Sequence, residues 1–251
     1  MTVFEKKNDD RGLPFIDYGD MSIRSAISMI TVAIVVFISY IYISAHPQPL
    51  TDIFGKSELS LVFILIISTL IPLAIMLYSF YYFSNKNLRQ YFQGNPFKEW
   101  KAFVAFFLMN AAYGILSSQF VSLFARTVEN KGISNGMNLH MYLISVIEDV
   151  FSLATEELYA IPLFFAFAVI LSKYFKWSRN VIIYVALLIS AVLFGLAHFE
   201  TYSWNLTQMI FVVGLSRFFI TGAYIRTKNM WVAYAIHFMT DFIITSIAFL
   251  V

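Results

Sequence analysis

Two adjacent carboxylates stand in Thr155-Glu156-Glu157-Leu158-Tyr159, inside a run that is otherwise apolar. Downstream, His198 closes Phe194-Gly195-Leu196-Ala197-His198, and His237 precedes Asp241 by four residues, both in equally apolar surroundings. Arg217 is a lone cation in a further apolar run. An ionisable group at the centre of a bilayer costs about 3 kcal/mol on insertion scales and marks a functional site by default. Carboxylates and imidazoles facing one interior have the inventory to activate a water molecule and stabilise an oxyanion, which is what peptide hydrolysis requires.

Helical spacing divides the roles. Neighbouring residues on a helix point about 100° apart, so Glu156 and Glu157 cannot do the same job. One is free to act on a substrate while the other is held by a structural partner. Phe194 and His198 share a face, as do His237 and Asp241, each pair being four residues apart. Gly195 allows a helix or a substrate backbone to approach closely. Arg217 needs a carboxylate, for which Asp241, Glu157 and Glu148 are the candidates. Each feature also has a plainer reading. The Glu pair could be a wet acidic helix end, His198 an interfacial anchor, and His237–Asp241 a pair that ties helices together. Glu200 reads most simply as a solvated loop residue.

The elements that must position these groups follow from composition. Of 251 residues, 59% are apolar and 13% charged, and the mean hydropathy is +0.72. These values lie far outside the soluble range and indicate an all-α, polytopic membrane helix bundle. Crossing the hydrocarbon takes about 20 apolar residues, and seven stretches qualify, at about 23–45, 59–83, 103–125, 151–171, 181–199, 206–225 and 231–251. The segment 141–149 is either a short interfacial helix before the fourth span or an extension of it. Residues 1–22 read as a polar cytoplasmic tail, 23–139 as scaffold helices and 140–251 as the catalytic core of the same membrane domain. There is no cysteine, and a net charge of +2 gives no ground for a nucleic-acid partner. Seven spans put thirteen Lys and Arg on the N-terminal side and three, Lys56, Arg126 and Lys131, on the other. The positive-inside rule then places the N-terminus in the cytoplasm and the C-terminus outside a cell membrane.

Three motifs in this order resemble those of the CPBP family, the CAAX proteases and bacteriocin-processing (Abi) enzymes. Those motifs are Glu-Glu-x-x-x-Arg, Phe-x-x-x-His and His-x-x-x-Asn/Asp. Here they read Glu156-Glu157-Leu158-Tyr159-Ala160-Ile161, Phe194 to His198, and His237 to Asp241. The stretches 189–199 and 222–231 are similar to the surrounding family text, and the resemblance covers about residues 140–251. It departs at Ile161, where the family has an Arg positioned to pair with the second Glu.

The resemblance implies a bacterial intramembrane endopeptidase acting on a membrane-associated peptide or protein. In it Glu156 is the general base, His198 holds the water, and His237 and Asp241 bind or polarise the scissile carbonyl. Glu157, Phe194 and Arg217 are supports. An ionised Asp241 cannot donate to an oxyanion as an Asn would, so it must orient His237 or carry a proton. No cofactor is expected, because no outer carboxylate is evident for both imidazoles. The zinc alternative would use Glu156, His198 and His237 as ligands with water in the fourth position. A second reading is a catalytically inactive member serving as bacteriocin-immunity factor or as scaffold for a regulatory membrane partner, with Ile161 as its main support. A proton-coupled transporter ranks last, since the polar residues are confined to the second half of the chain.

Overall fold

The computed structural model describes residues 1–130 and 136–251. Its helices are α1 (Ile23–Ala45), α2 (Gln48–Phe54), α3 (Glu58–Phe83), α4 (Trp100–Phe124), α5 (Leu139–Tyr174), α6 (Arg179–Leu196), α7 (Leu206–Gln208), α8 (Leu215–Thr227) and α9 (Met230–Leu250). A π-helical stretch, Met209–Gly214, joins α7 to α8. Among the described residues there are no strands, and seven helical segments are long and apolar enough to cross a membrane. They coincide with the seven expected spans.

The central element is α5. Asn138 caps its start by accepting from the Met141 N–H, and no Gly or Pro interrupts the chain before Pro162. Helix therefore runs unbroken through 141–149 into the fourth span. This resolves the two readings of that segment in favour of an extension. At 1.5 Å per residue α5 is about 54 Å long, well beyond the hydrocarbon thickness. Nearly every residue from Leu158 to Leu171 is buried. Small residues Ala160, Ala166 and Ala168 let α1, α3, α6 and α9 close around it. Phe37 of α1 stacks on Tyr159 with ring centroids 4.3 Å apart.

The connections sort to two ends. At one end, Arg11 donates to the Thr227 carbonyl at 2.9 Å, Asn85 to the Asp20 carbonyl at 2.7 Å, and the Gln93 N–H to the Lys228 carbonyl at 2.9 Å. At the other, Asn205 donates to the Arg126 carbonyl at 2.7 Å and Gln208 bonds both the N–H and C=O of Val128. The basic connections thus meet one another, as spans that alternate in direction require. Lys131, on the sparse side of the charge count, lies outside the described residues.

Residues 1–22 are packed onto the basic end of the bundle. Leu13 is fully buried, Phe15 sets its ring edge-on to Phe165, and Arg179 holds both Glu5 and Asp17. Burial alone pushes the Glu5 carboxyl up. The hydrogen bond from Arg179 and that from the Thr2 N–H more than offset it and bring Glu5 down to about 2 from 4.5. A depressed carboxylate stabilises the docked segment above pH 4.5 and loses that contribution as pH falls toward 2. Limited proteolysis within residues 1–22 is therefore expected to speed up between pH 4.5 and 2.5 in an acid-active protease, and at pH 7 in Arg179→Ala. Equal cleavage rates for wild type and variant at pH 7 would refute the clamp.

The closest approach between helices is glycine-dependent. A Cβ on Gly195 of α6 would lie 2.2 Å from the Met209 carbonyl oxygen, and one on Gly214 would lie 2.7 Å from the Ala191 carbonyl oxygen. The π stretch crosses α6 at this contact. The Tyr113 hydroxyl of α4 donates to its Phe211 carbonyl. An inserted π residue also rotates the helical face presented by downstream residues, and Arg217 comes three residues after Gly214. Gly195→Ala must push the two elements apart at a cost of about 1–3 kcal/mol. It should lower the melting temperature in detergent, whereas Gly114→Ala, with open space around its Cβ, should not. Equal melting of the two variants would contradict this packing.

Candidate active site

Glu157 and Arg217 form a two-pronged ion pair between α5 and α8. Arg217 Nη1 and Nη2 donate to Glu157 Oε1 and Oε2 at 2.6 and 2.8 Å, with both side chains 1% exposed. Of the three carboxylates offered to Arg217 by the sequence, the fold delivers Glu157. Ile161 is fully buried and apolar, so the charge absent there arrives from Arg217, sixty residues downstream of Glu157. Two planar forks in register give the strongest geometry for such a pair. Phe194 lies under the guanidinium, 4.7 Å from ring centroid to Cζ, which adds a cation–π contact.

Glu157 also takes His237. Its Oε1 is 2.8 Å from His237 Nδ1, and a carboxylate only accepts, so Nδ1 carries the proton. His198 is fixed likewise, with Nδ1 2.8 Å from the Phe194 carbonyl oxygen. Both imidazoles therefore turn Nε2 toward Glu156. Glu156 Oε2 lies 3.8 Å from His198 Nε2 and 3.7 Å from His237 Nε2. That oxygen is buried and has no hydrogen-bond partner among the described residues. A buried carboxylate oxygen without a donor is costly, and a water molecule at this point would relieve it.

Asp241 stands at the rim. Its Oδ2 is 3.9 Å from His237 Nε2, and its side chain is 38% exposed. The group that orients His237 is Glu157, through the other ring nitrogen. Phe194 packs beside both imidazoles, with ring centroids 4.8 Å from His198 and 6.1 Å from His237. Glu156, Glu157, Phe194, His198, Arg217, His237 and Asp241 thus come to one place.

Three neighbours lie outside the motif residues. Asp149 lies two helical turns before Glu156 on the same face of α5, within electrostatic reach of Asp241, Glu156 and His237. Its signal is hidden while 141–149 can be either a separate helix or an extension. Asn110 of α4, buried in an apolar span, donates to Thr240 Oγ1 at 3.2 Å. An amide in such a span is a readable sign. Tyr202 follows His198 by one turn, its N–H bonded to the His198 carbonyl at 3.1 Å, and in the sequence it belongs to an unremarkable loop.

The donor types suit zinc, and both imidazoles have the outer acceptor that metal-bound histidines use. The outer group is a carboxylate for His237 and a backbone carbonyl for His198, so the two do not share a carboxylate support. Placement is another matter: among the described residues, no three His, Asp or Glu side chains are arranged to hold a metal ion.

The sequence model of the family described as type II CAAX prenyl endopeptidase Rce1-like matches residues 138–243. No curated protein and no solved structure matches the chain. The matched segment begins at the cap of α5 and includes Glu156, Glu157, His198, His237 and Asp241. The match spans 106 of the 251 residues, and over that segment the chain is similar to this CAAX protease family.

Proposed function

We propose that this chain is an intramembrane endopeptidase that hydrolyses a peptide bond in a membrane-associated peptide or protein with water activated by Glu156. The observation that carries this is the unpartnered, buried Glu156 Oε2 facing the Nε2 atoms of two oriented imidazoles. A water there donates to Glu156 and to one imidazole, which points an oxygen lone pair at an incoming carbonyl carbon. Glu156 takes the proton as general base and returns it to the leaving amine. His198 and His237 position the water, while Glu157 and Arg217 hold His237. The N-terminus is proposed to lie in the cytoplasm, on the basic side.

The metal-free form of this chemistry is the one proposed here. The arrangement weakens the inactive-member reading, because Arg217 supplies the charge that Ile161 does not. The test is cleavage by purified chain in detergent of a quenched-fluorescence peptide panel, including a farnesylated CAAX peptide and unmodified apolar peptides. Cleavage by wild type, persistence in chelator and loss in Glu156→Gln are the expected results. Turnover that Glu156→Gln leaves intact sinks the mechanism. Loss in chelator with recovery on zinc would transfer it to a metal held by Glu156, His198 and His237.

A further inference from the structure

Two contacts fix the register of α5 against α9, which runs antiparallel to it. The Tyr142 and Ser246 hydroxyls share a hydrogen bond of 2.9 Å, and His237 Nδ1 meets Glu157 Oε1 at 2.8 Å. Tyr142, Asp149 and Glu156 follow one another at seven-residue intervals and so form one stripe along α5. The Tyr142 contact turns that stripe toward α9. On α9, Asp241 lies between His237 and Ser246, level with Asp149 and within electrostatic reach of it. Asp241 Oδ2 is 3.9 Å from His237 Nε2, which is 3.7 Å from Glu156 Oε2. A line of carboxylates thus leads from the rim to Glu156, whose buried Oε2 has no hydrogen-bond partner among the described residues.

The cations do not match this line. Among the described residues, the ion pairs made by Lys and Arg belong to Arg11, Arg179 and Arg217, and none reaches Asp149 or Asp241. Arg217 is taken by Glu157. His237, even with both ring nitrogens protonated, balances one carboxylate more. Of Asp149, Glu156, Glu157 and Asp241, two are therefore left without a counter-charge, and Glu148 stands beside them. Like charges gathered in a cleft with low-dielectric walls focus a field that draws in a cation. A metal ion does not suit the place, since no three His, Asp or Glu among the described residues are arranged to hold one.

We propose that the cleft between α5 and α9 selects peptides with a Lys or Arg side chain beside the scissile bond, its charge lying between Asp149 and Asp241; this rests on the peptidase reading above. The peptide carbonyl meets the water at Glu156, and the flanking side chain extends along the stripe toward the rim, where Asp241 is 38% exposed. An ammonium or guanidinium there meets two carboxylates. An apolar side chain leaves both unbalanced, and an acidic one adds a like charge. Selectivity then comes from attraction to one class and repulsion of another.

The test uses full-length chain in detergent and quenched-fluorescence peptides that differ only in bearing Lys, Arg, norleucine or Glu next to the cleaved bond. Wild type should cleave the Lys and Arg peptides with kcat/KM at least about tenfold above the norleucine peptide. The Glu peptide should be slowest, and the preference should shrink as salt is raised. Asp149→Asn should lower the Lys-to-norleucine ratio by about threefold or more, and Asp149→Lys should abolish the preference. Each ratio is taken within one chain, so a loss of folded protein cancels from it. Equal cleavage of the Lys and norleucine peptides by wild type overturns the proposal, as does a Lys preference that both Asp149 variants leave unchanged. If wild type and Glu156→Gln are equally inactive on every peptide, the peptidase reading itself has failed, and the proposal falls with it.

Discussion

Glu156→Gln should lower kcat by about 10²–10⁴-fold, the range a positioned general base supplies, with little change in melting temperature. Gln matches Glu in shape, and the ion pair that spans α5 and α8 belongs to the next residue, so the fold has no reason to yield. The chemistry does. An amide oxygen cannot take the proton from water, and the amide N–H₂ is set to donate to the Nε2 atoms that lie 3.7 and 3.8 Å from Oε2. That donation fills the position the water needs. His198→Ala should cost a similar factor, because its Nε2 is the second wall of the same position. The two losses should not multiply. Groups that act on one water act as a unit, so E156Q/H198A should be about as slow as the worse single variant. The check is single-turnover cleavage of the peptide panel by wild type, both single variants and the double. Multiplied losses would mean that Glu156 and His198 do separate jobs, and the shared water would have to be abandoned.

The spans are legible in the sequence because crossing a membrane is a one-dimensional demand. Length and hydropathy alone set the bounds of α1 and α9, and both agree with the structure to within one residue. The site is legible in part for a related reason: an ionisable group costs so much in an apolar run that Glu156, His198, Arg217 and His237 declare themselves without any knowledge of packing. Their partners do not. Which carboxylate meets Arg217 depends on how α5 and α8 cross, and that crossing depends on Gly195, Gly214 and the π stretch between α7 and α8. No periodicity in the sequence announces a π turn. The role of Asp149 depends on whether helix continues through 141–149, and hydropathy is blind to that. What decides it is a cap at Asn138 and the lack of a breaker before Pro162, both present in the letters but competing with the polar Glu148-Asp149 pair.

The largest expected effect on stability is at Arg217. Arg217→Leu leaves Glu157 charged, 1% exposed and without its bidentate partner. Breaking a buried pair from one side costs about 3–5 kcal/mol, a large share of the stability of any domain of this size. His237 Nδ1 would remain as the sole donor to Glu157 among the described residues, which is too little for two oxygens. Arg217→Lys should fall between, since a single ammonium cannot reproduce the two parallel bonds at 2.6 and 2.8 Å. The family pattern suggests the rescue. Residue 161 lies one helical turn beyond Glu157 and is fully buried, so an arginine placed there reaches the same carboxylate from the same helix. I161R/R217L should therefore melt well above R217L and regain part of its cleavage activity, while Ile161→Arg alone, which crowds two cations onto one carboxylate, should be destabilised. Melting in detergent measured on the four chains decides it. If R217L melts as wild type does, the pair carries no net stability. If the double variant is no better than R217L, charge at Glu157 is not what Arg217 provides, and its contact with the Phe194 ring would have to explain the loss instead.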